Sequence, residues 1–300
     1  MKLFSYESAK KSEKIFLSMT SLTVQEFDKL SITFGECWNE YKKINERDIK
    51  KGGRPPILAT IKDKLFFILF YLKTYPLQEV IAFSFEMSQG EANELIHELS
   101  LVLKMTLQKI DFLPPRLSAD ILAKLENEDS QDYVIDGTER PIVRPSNSSA
   151  QEIFFSGKKG RHTIKNMMIS GVDDYQIKGL GATHEGKKHD KKICDEEQIA
   201  LPENSICYAD TAFIGYEIEN VKIIIPKKKP RGGELTLDDK KENRLISSIR
   251  IAVEHVISGV KRCRIVKDIF RNTLDEYDDL VMELACGLHN FRTAERRQAY

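Results

Sequence analysis

The segment NRLISSIRIAVEHVISGVKRCR, residues 243–264, decides how the second half of this 300-residue chain folds. Its apolar residues recur every three or four positions, which is the spacing of one face of an amphipathic helix. At about 100° per residue, Arg250, Glu254 and Lys261 fall on one narrow stripe beside that face. We therefore expect a long helix whose apolar face packs on a sheet while its charged stripe borders a cleft. The apolar positions are Ile246, Ile249, Val253, Val256, Ile257 and Val260.

The charged stripe allows two interpretations. One carboxylate beside two cations suits a metal ion with a phosphate group next to it, and this interpretation requires partner acids elsewhere in the sequence. An Arg–Glu pair four residues apart is also common on solvated helix faces. The stripe alone favours the solvated face, so the metal interpretation depends on those partner acids.

The composition is that of a globular protein long enough for two domains. Hydrophobic residues make up 41% of the chain, and the formal net charge of zero excludes a generally cationic nucleic-acid binder but not local basic patches. Five cysteines without a C-x2-C pair argue against a zinc ribbon or a disulfide framework. The most apolar run, LFFILFYL at 65–72, is too short to span a bilayer, and the N-terminus lacks a long apolar core. We expect a cytoplasmic protein without a membrane partner.

The first part of the chain is predicted to be helical. Thr23 and Glu26 have the spacing of a capping box, at a helix start within an N-terminal helical segment at 1–53. A polar hinge at 44–56 leads into a helix-turn-helix-like domain at 54–115. Helices in that domain are expected at 59–74, 77–84 and 89–104, with Ser88 as the N-cap of the last one.

The last of these helices has an unusual composition for a DNA reader. Helices that enter the major groove usually carry Arg, Lys, Asn or Gln toward bases and phosphates. Gln89 and Asn93 would serve, but Glu91, Glu94 and Glu98 would repel the phosphate backbone. A major-groove role and a packing or dimerisation role therefore both remain open.

The remaining residues, 116–300, form a second domain with a different pattern. Three strands in succession, followed by strands that alternate with helices, predict an α/β domain in which helices pack on a mixed sheet. A polar loop is expected at 138–152, after the first strand. The strands are predicted at 133–136, 162–172, 176–182, 205–209 and 222–225, and helices are predicted to begin near 118, 190, 237 and 280, with Ser118 as the N-cap of the first.

Asp136 and Asp210 supply the partner acids. Each follows an apolar strand, in YVIDGTE and ICYADTAF, so each is expected at a sheet edge that opens into a crevice. With Glu254 from the packed helix, three carboxylates would converge, and they would repel one another unless a cation lay among them. Oxygen ligands of this kind select Mg²⁺ or Mn²⁺, and two such ions can activate a water or a 3′-hydroxyl at a phosphodiester.

A zinc site is the alternative metal centre. His184, His189 and Cys194 are its candidates, but their spacing matches no standard zinc-ligand pattern. His189 and Asp190 are better explained as a helix start near the acidic site, with Asp190 as the N-cap. Glu139 is expected to point away from the three acids.

Basic residues cluster around the acids, at 158–165, 187–192, 227–231 and 261–264. Any single cluster is explained by a solvated loop. Four clusters that bracket three acids, in a chain without net charge, favour an anionic polymer bound across the acidic site. The cations that we expect to contact phosphate are Lys158, Lys159, Arg161, Lys228, Arg262, Arg250 and Lys261.

These motifs, in this order, resemble the DDE transposases of the IS5 group of bacterial insertion sequences, near the branch shared with Harbinger-type elements. The matching segments lie within about 130–270 and read DGTERPIVRP, FSGKKGRHTIKN, HDKKI, YADTAFIGYE, IPKKKPRGGELT and ENRLISSIRIAVEHVISGVKR. The resemblance implies a ribonuclease H-like catalytic domain at 116–300, preceded by a helix-turn-helix. It also implies a metal-binding DDE triad of Asp136, Asp210 and Glu254, with Arg250 and Lys261 as the cations of the last motif.

One position departs from the family pattern. The last motif usually opens with Tyr three residues before the Arg, and this chain has Ser247 there. Ser247 has no aromatic ring to stack on DNA. The departure therefore bears on the positioning of the terminal nucleotide and not on metal binding.

The resemblance implies a bacterial DNA transposase that is cytoplasmic and associated with the nucleoid. Such an enzyme would cut double-stranded DNA at terminal inverted repeats and join the freed ends to target DNA, with Mg²⁺ or Mn²⁺ and two ions expected. Synapsis of two ends implies a homodimer or a larger assembly. A transposase-derived DNA-binding protein without catalysis and an endonuclease that cuts without joining are the alternatives.

Overall fold

A computed structural model describes residues 4–45, 56–126 and 132–297. Its contacts divide the chain into two compact units. The helical unit comprises Met1–Leu113, Lys261–Asp268 and Leu280–Tyr300, and the sheet unit comprises Pro114–Val260 and Ile269–Asp279.

These units differ from the domains expected at 1–53, 54–115 and 116–300. The first two expected domains lie in one unit, and most of the final helix joins that unit instead of the sheet. One of the contacts that joins the final helix to this unit is made by Arg296, whose guanidinium donates at 2.7 Å to the carboxylate of Glu26, near the other end of the chain. The boundary expected between 53 and 54 lies outside the described residues.

The helical unit is built around one buried helix. Residues 64–69 are all buried, which explains the apolar run noted in the sequence as the core of this unit. No helix of the described residues is long and apolar enough to cross a membrane. The helices are α1 (Tyr6–Ala9), α2 (Glu13–Thr20), α3 (Val24–Ile44), α4 (Ile61–Thr74), α5 (Gln78–Ser84) and α6 (Gln89–Lys109). A 3₁₀-helix at Arg264–Val266 packs on α4, and α11 (Tyr277–Arg297) ends the described chain.

The acidic helix α6 carries fewer unbalanced charges than its sequence suggests. The expected cap is confirmed as a capping box, in which the Glu91 carboxylate accepts from the Ser88 backbone N–H. Glu98 pairs with Lys42 of α3 at 2.7 Å. Asn93 and Gln89 both hydrogen-bond to Gln78 of α5, so these amides join the two helices of the turn.

The sheet unit has the predicted mixed sheet with packed helices. The strand order is β2-β3-β1-β6-β7, with β4 and β5 also paired to β3. β1 pairs antiparallel with β3, while β6 and β7 run parallel to β1, which agrees with the ribonuclease H-like sheet implied by the resemblance. The strands are β1 (Asp132–Pro141), β2 (Phe155–Ser156), β3 (Arg161–Gly171), β4 (Ile177–Leu180), β5 (His184–Glu185), β6 (Ile206–Tyr208) and β7 (Lys222–Ile224). The helices are α7 (Ser118–Leu125), α8 (Ser148–Phe154), α9 (Asp190–Glu197) and α10 (Leu237–Val260), with a 3₁₀-helix at Thr211–Phe213.

The two faces of this sheet carry separate cores. Tyr133 and Ile135 of β1 pack with Ile193 of α9 on one face. Val134, the residue between them, packs with Val253 of α10 on the other face. Side chains that alternate along β1 therefore face α9 and α10 in turn.

Two local expectations were wrong. β1 continues to Pro141, where a loop was expected from 138, because β3 pairs along its whole length and reaches Pro141↔Thr163. The expected loop also contains the short helix α8. Ser118 is the first residue of α7 and not its cap, since its hydroxyl donates to the Gln198 carbonyl at 2.6 Å.

We predict that Val253→Ala lowers the free energy of unfolding by about 2 kcal/mol, since two buried methyl groups are lost. Val253 is 0% exposed, while the neighbouring Ile251 is 47% exposed. Urea unfolding of both alanine variants is the measurement. An equal cost for Ile251→Ala would contradict the packing of α10 on the sheet.

Candidate active site

Asp136 and Asp210 lie side by side because two parallel strands stop pairing at the same level. The last pair between β1 and β6 is Val134↔Tyr208, and each aspartate follows its strand's member of that pair by two residues. By the two-residue alternation, the Asp136 carboxylate points to the face of Val134. Asp210 lies beyond the end of β6, where its carboxylate accepts from the Ala212 backbone N–H, and its charge acts on Asp136. The Val134 face packs against Val253, so α10 covers the side of the sheet to which Asp136 points.

Asp136 itself lies inside β1 and not at the strand end that we expected. It pairs with Met168 of β3, which continues beyond it. The parallel partner β6 has already ended at this level. Asp136 is therefore paired with the backbone of β3 on one side, while the pairing of β1 with β6 has ended on the other.

The surroundings of Asp136 oppose its negative charge. Burial raises the pKa of Asp136 to about 6, and the negative charges of Asp210 and Asp190 add to that increase. A 2.8 Å hydrogen bond from the Gly137 backbone N–H and the nearby charge of Arg250 partly offset it. The ionised carboxylate is thus costly here, and a bound cation would relieve that cost.

Helix α10 contributes Arg250 and Glu254 to the same side of the sheet. Arg250 is half-buried, and within the described chain its buried Nε has no hydrogen-bond partner. An unpaired buried donor is costly, so this position suits an anionic group. Glu254 is exposed and lies about 40° around the helix from Arg250.

Lys261 is not part of the helix that we expected to carry it. α10 ends at Val260, and Lys261 is the next residue, in a segment of the helical unit. One helix therefore carries Arg250 and Glu254 only. Ser247, where the family pattern has Tyr, is exposed on the same helix.

The acids of the site fit a divalent cation in part. Asp136 and Asp210 present carboxylate oxygens, and such oxygens are the donors that Mg²⁺ and Mn²⁺ prefer. No group of three or more His, Cys, Asp or Glu side chains among the described residues is close enough to hold a metal ion. Glu254 is therefore not gathered with the two aspartates in this structure.

The alternative zinc ligands serve other purposes. Cys194 is fully buried in the core between α9 and the sheet. His184 bonds to Glu197 at 2.8 Å. His189 occupies the N-cap position of α9, which we had assigned to Asp190.

Asp190 is a fourth acid at the site, which the sequence suggested only as a helix cap. It is the first residue of α9, and its carboxylate contacts Gly137, the residue after Asp136. Glycine inside a strand often marks a close approach by another group. Gly137, within YVIDGTE, is therefore the feature of the sequence from which this contact could have been predicted.

The basic clusters differ in how many of their cations are already paired. Lys187, Lys188, Lys191 and Lys192 all pair with nearby carboxylates, and Lys227 pairs with two. The predicted phosphate contacts outside the helix are exposed, and none forms an ion pair with a described carboxylate. They are Lys158, Lys159, Arg161, Lys228 and Arg262.

Comparison with known families identifies the family to which the chain belongs. A family model described as "DDE superfamily endonuclease" matches residues 135–290, slightly more than half of the chain. The chain belongs to this DDE endonuclease family. A second model, "Helix-turn-helix of DDE superfamily endonuclease", matches residues 58–108, which confirms the helix-turn-helix expected ahead of the catalytic domain.

Two curated proteins are similar to this DDE endonuclease. It is 29% identical over 276 residues, 91% of this chain and 96% of the relative, to "Probable transposase for insertion sequence element IS702" of Microchaete diplosiphon. It is 23% identical over 223 residues, 74% and 76% of the two chains, to "Putative transposase for insertion sequence element IS112" of Streptomyces albus G. No solved structure matches the chain.

We predict that Asp136→Asn stabilises the metal-free DDE endonuclease at neutral pH but not in acid. The folded-state pKa of about 6 exceeds the unfolded value, so the charge penalty is absent below about pH 4 and complete above about pH 6. The advantage of Asn over Asp should grow by roughly 3 kcal/mol across that range. Urea unfolding with a chelator at both pH values measures it, with Asp195→Asn as an exposed control. A pH-independent difference would show that Asp136 is not buried among these acids.

Proposed function

We propose that this DDE endonuclease is a DNA transposase that cuts the ends of its insertion sequence and joins them to target DNA. One observation carries the proposal, namely that the buried Asp136 carboxylate feels the charges of both Asp210 and Arg250 on the sheet face covered by α10. The same helix also carries Glu254, which is exposed. Similarity to two proteins named as transposases, one over 91% of this chain, gives independent support.

The three carboxylates would have distinct roles. Asp136 and Asp210 would hold the divalent ions through their oxygens, and Glu254 would be the third ligand residue. When bound, Mg²⁺ or Mn²⁺, with two ions expected, would activate the attacking oxygen and stabilise the leaving one. The carboxylates must be ionised for this, so the raised pKa of Asp136 predicts weaker metal binding below about pH 6.

The proposed reaction has two steps at phosphorus. In the first, water attacks a phosphodiester at the element's end, the P–O3′ bond breaks, and a 3′-hydroxyl is released. In the second, that hydroxyl attacks a target phosphodiester, so one P–O bond forms as another breaks. Arg250 is suited to contact a phosphate oxygen in either step, because its buried Nε has no hydrogen-bond partner among the described residues.

The DNA would be held at several places. The exposed cations Lys158, Lys159, Arg161, Lys228 and Arg262 would contact the phosphate backbone, and Lys261 would do so next to the catalytic helix. For the helix-turn-helix, the ion pair of Glu98 with Lys42 offsets part of the negative charge that would repel DNA. A homodimer or larger assembly would bring two element ends together.

We predict that Asp136→Asn, Asp210→Asn and Glu254→Gln each reduce Mg²⁺-dependent cleavage of DNA carrying the element's ends by more than about a hundredfold. Binding of the same DNA should remain within about threefold of wild type, because each change removes a negative charge and no phosphate contact. Gel-resolved cleavage and filter binding measure the two quantities. Asp195→Asn, a half-exposed acid on α9, is the matched control and should cut normally.

The outcomes separate the alternatives. Retained cleavage by Asp136→Asn would overturn the catalytic assignment. End-specific binding without cleavage by the wild type would indicate a DNA-binding protein derived from a transposase. Hydrolysis without any product joined to a target plasmid would indicate an endonuclease that does not transfer strands.

A further inference from the structure

The back of the Asp136 strand is in contact with an acid from the opposite face of the sheet. A side-chain carbon at Gly137 would lie 3.2 Å from the Cγ and Oδ1 atoms of Asp190. Gly137 alternates with Asp136, so it faces α9 while Asp136 faces α10. Asp190 therefore lies behind the metal-facing side of the strand, which does not suit it to be a fourth ligand.

Asp190 is held in this position by a buried cation. The Lys165 ammonium lies 2.9 Å from the Asp190 carboxylate and donates to the Lys188 carbonyl at 2.7 Å. It also lies 3.8 Å from Glu139, its cross-strand partner in β1. Only 7% of the Lys165 side chain is exposed, so this ion pair is little screened by solvent.

One residue, Gly137, lies between the Asp190–Lys165 ion pair and the Asp136 carboxylate. The Gly137 backbone N–H donates at 2.8 Å to Asp136 Oδ1, which fixes the orientation of that carboxylate. On its other face, the same glycine lies so near Asp190 that an added side-chain carbon would be 3.2 Å from the carboxylate. A displacement of Asp190 would therefore move the N–H that orients Asp136.

We propose that Asp190 and Lys165 form a positioning pair that fixes Gly137 and, through its N–H, the metal-binding orientation of Asp136. This inference rests on the proposed function, since it assigns a task in the same site. It gives Lys165 a role different from the DNA contact suggested by its basic cluster. It also explains why β1 has a glycine directly after the catalytic aspartate.

A purely electrostatic role makes a different prediction from a positioning role. If only charge mattered, Asp190→Asn would weaken cation binding, while Lys165→Met would strengthen it. If position matters, both variants weaken it, because either one releases the contact behind Gly137. The double variant should then bind the cation no more weakly than the weaker-binding of the two single variants, since both residues act as one unit.

The test is Mn²⁺ binding by the full-length protein, followed by the free-ion electron paramagnetic resonance signal. Asp190→Asn, Lys165→Met and the double variant should each bind Mn²⁺ about tenfold more weakly than wild type. Gly137→Ala should do the same without changing any charge, because its methyl group would press on Asp190. Asp190→Glu, which keeps the charge, should also bind Mn²⁺ more weakly than wild type, since the longer side chain cannot make the same contact. Asp195→Asn is the control on the same helix.

Opposite effects of Asp190→Asn and Lys165→Met, or wild-type Mn²⁺ affinity in both, would overturn the inference. Unfolding midpoints measured with a chelator show that each variant is folded, and the double variant avoids an unpaired buried charge. If wild type itself binds no Mn²⁺ and cuts no DNA, the proposed function fails instead. If wild type cuts and these variants cut with an unchanged Mn²⁺ requirement, only the positioning inference fails.

Discussion

The burial of the Asp136 carboxylate next to a second acid is the constraint on which the proposed site depends. Parallel pairing of β1 with β6 brings Asp136 and Asp210 to the same level, and burial raises the pKa of Asp136 to about 6. Folding alone gains nothing from this arrangement, because a buried charge next to another of the same sign is destabilising. The arrangement is understandable when a cation is expected between the acids, and the positive charge of Arg250 offsets only part of the cost.

Different helices cover the two faces of the sheet near these acids. On one face, α10 packs through Val253 and carries the residues that we propose to meet metal and phosphate. On the other face, α9 packs in the larger core and places Asp190 behind the same strand, where it pairs with Lys165 of β3. Because the side chains of β1 alternate, Asp136 faces α10 while the next residue, Gly137, faces α9. We propose that these two residues couple metal binding on one face to the Asp190–Lys165 pair on the other.

Much of this architecture could be predicted from the sequence, and the failures have physical causes. The strands before Asp136 and Asp210 and the helix with Glu254 follow from hydrophobic periodicity, which is a local signal. The continuation of β1 to Pro141 depends on pairing with β3, and the position of the last helix depends on a bond between Arg296 and Glu26. Such long-range contacts leave no local pattern. Ion pairs likewise decide which basic residues are already paired with a carboxylate, so clustering alone overstated the cations available to DNA.

A crystal structure of the full-length protein with Mn²⁺ and DNA containing the element's ends would show whether the two aspartates hold the metal. We predict an anomalous scattering peak about 2.0–2.6 Å from carboxylate oxygens of both Asp136 and Asp210, with Glu254 turned toward it. A peak that contacts other residues, or Mn²⁺ bound with Asp136 and Asp210 uninvolved, would contradict it.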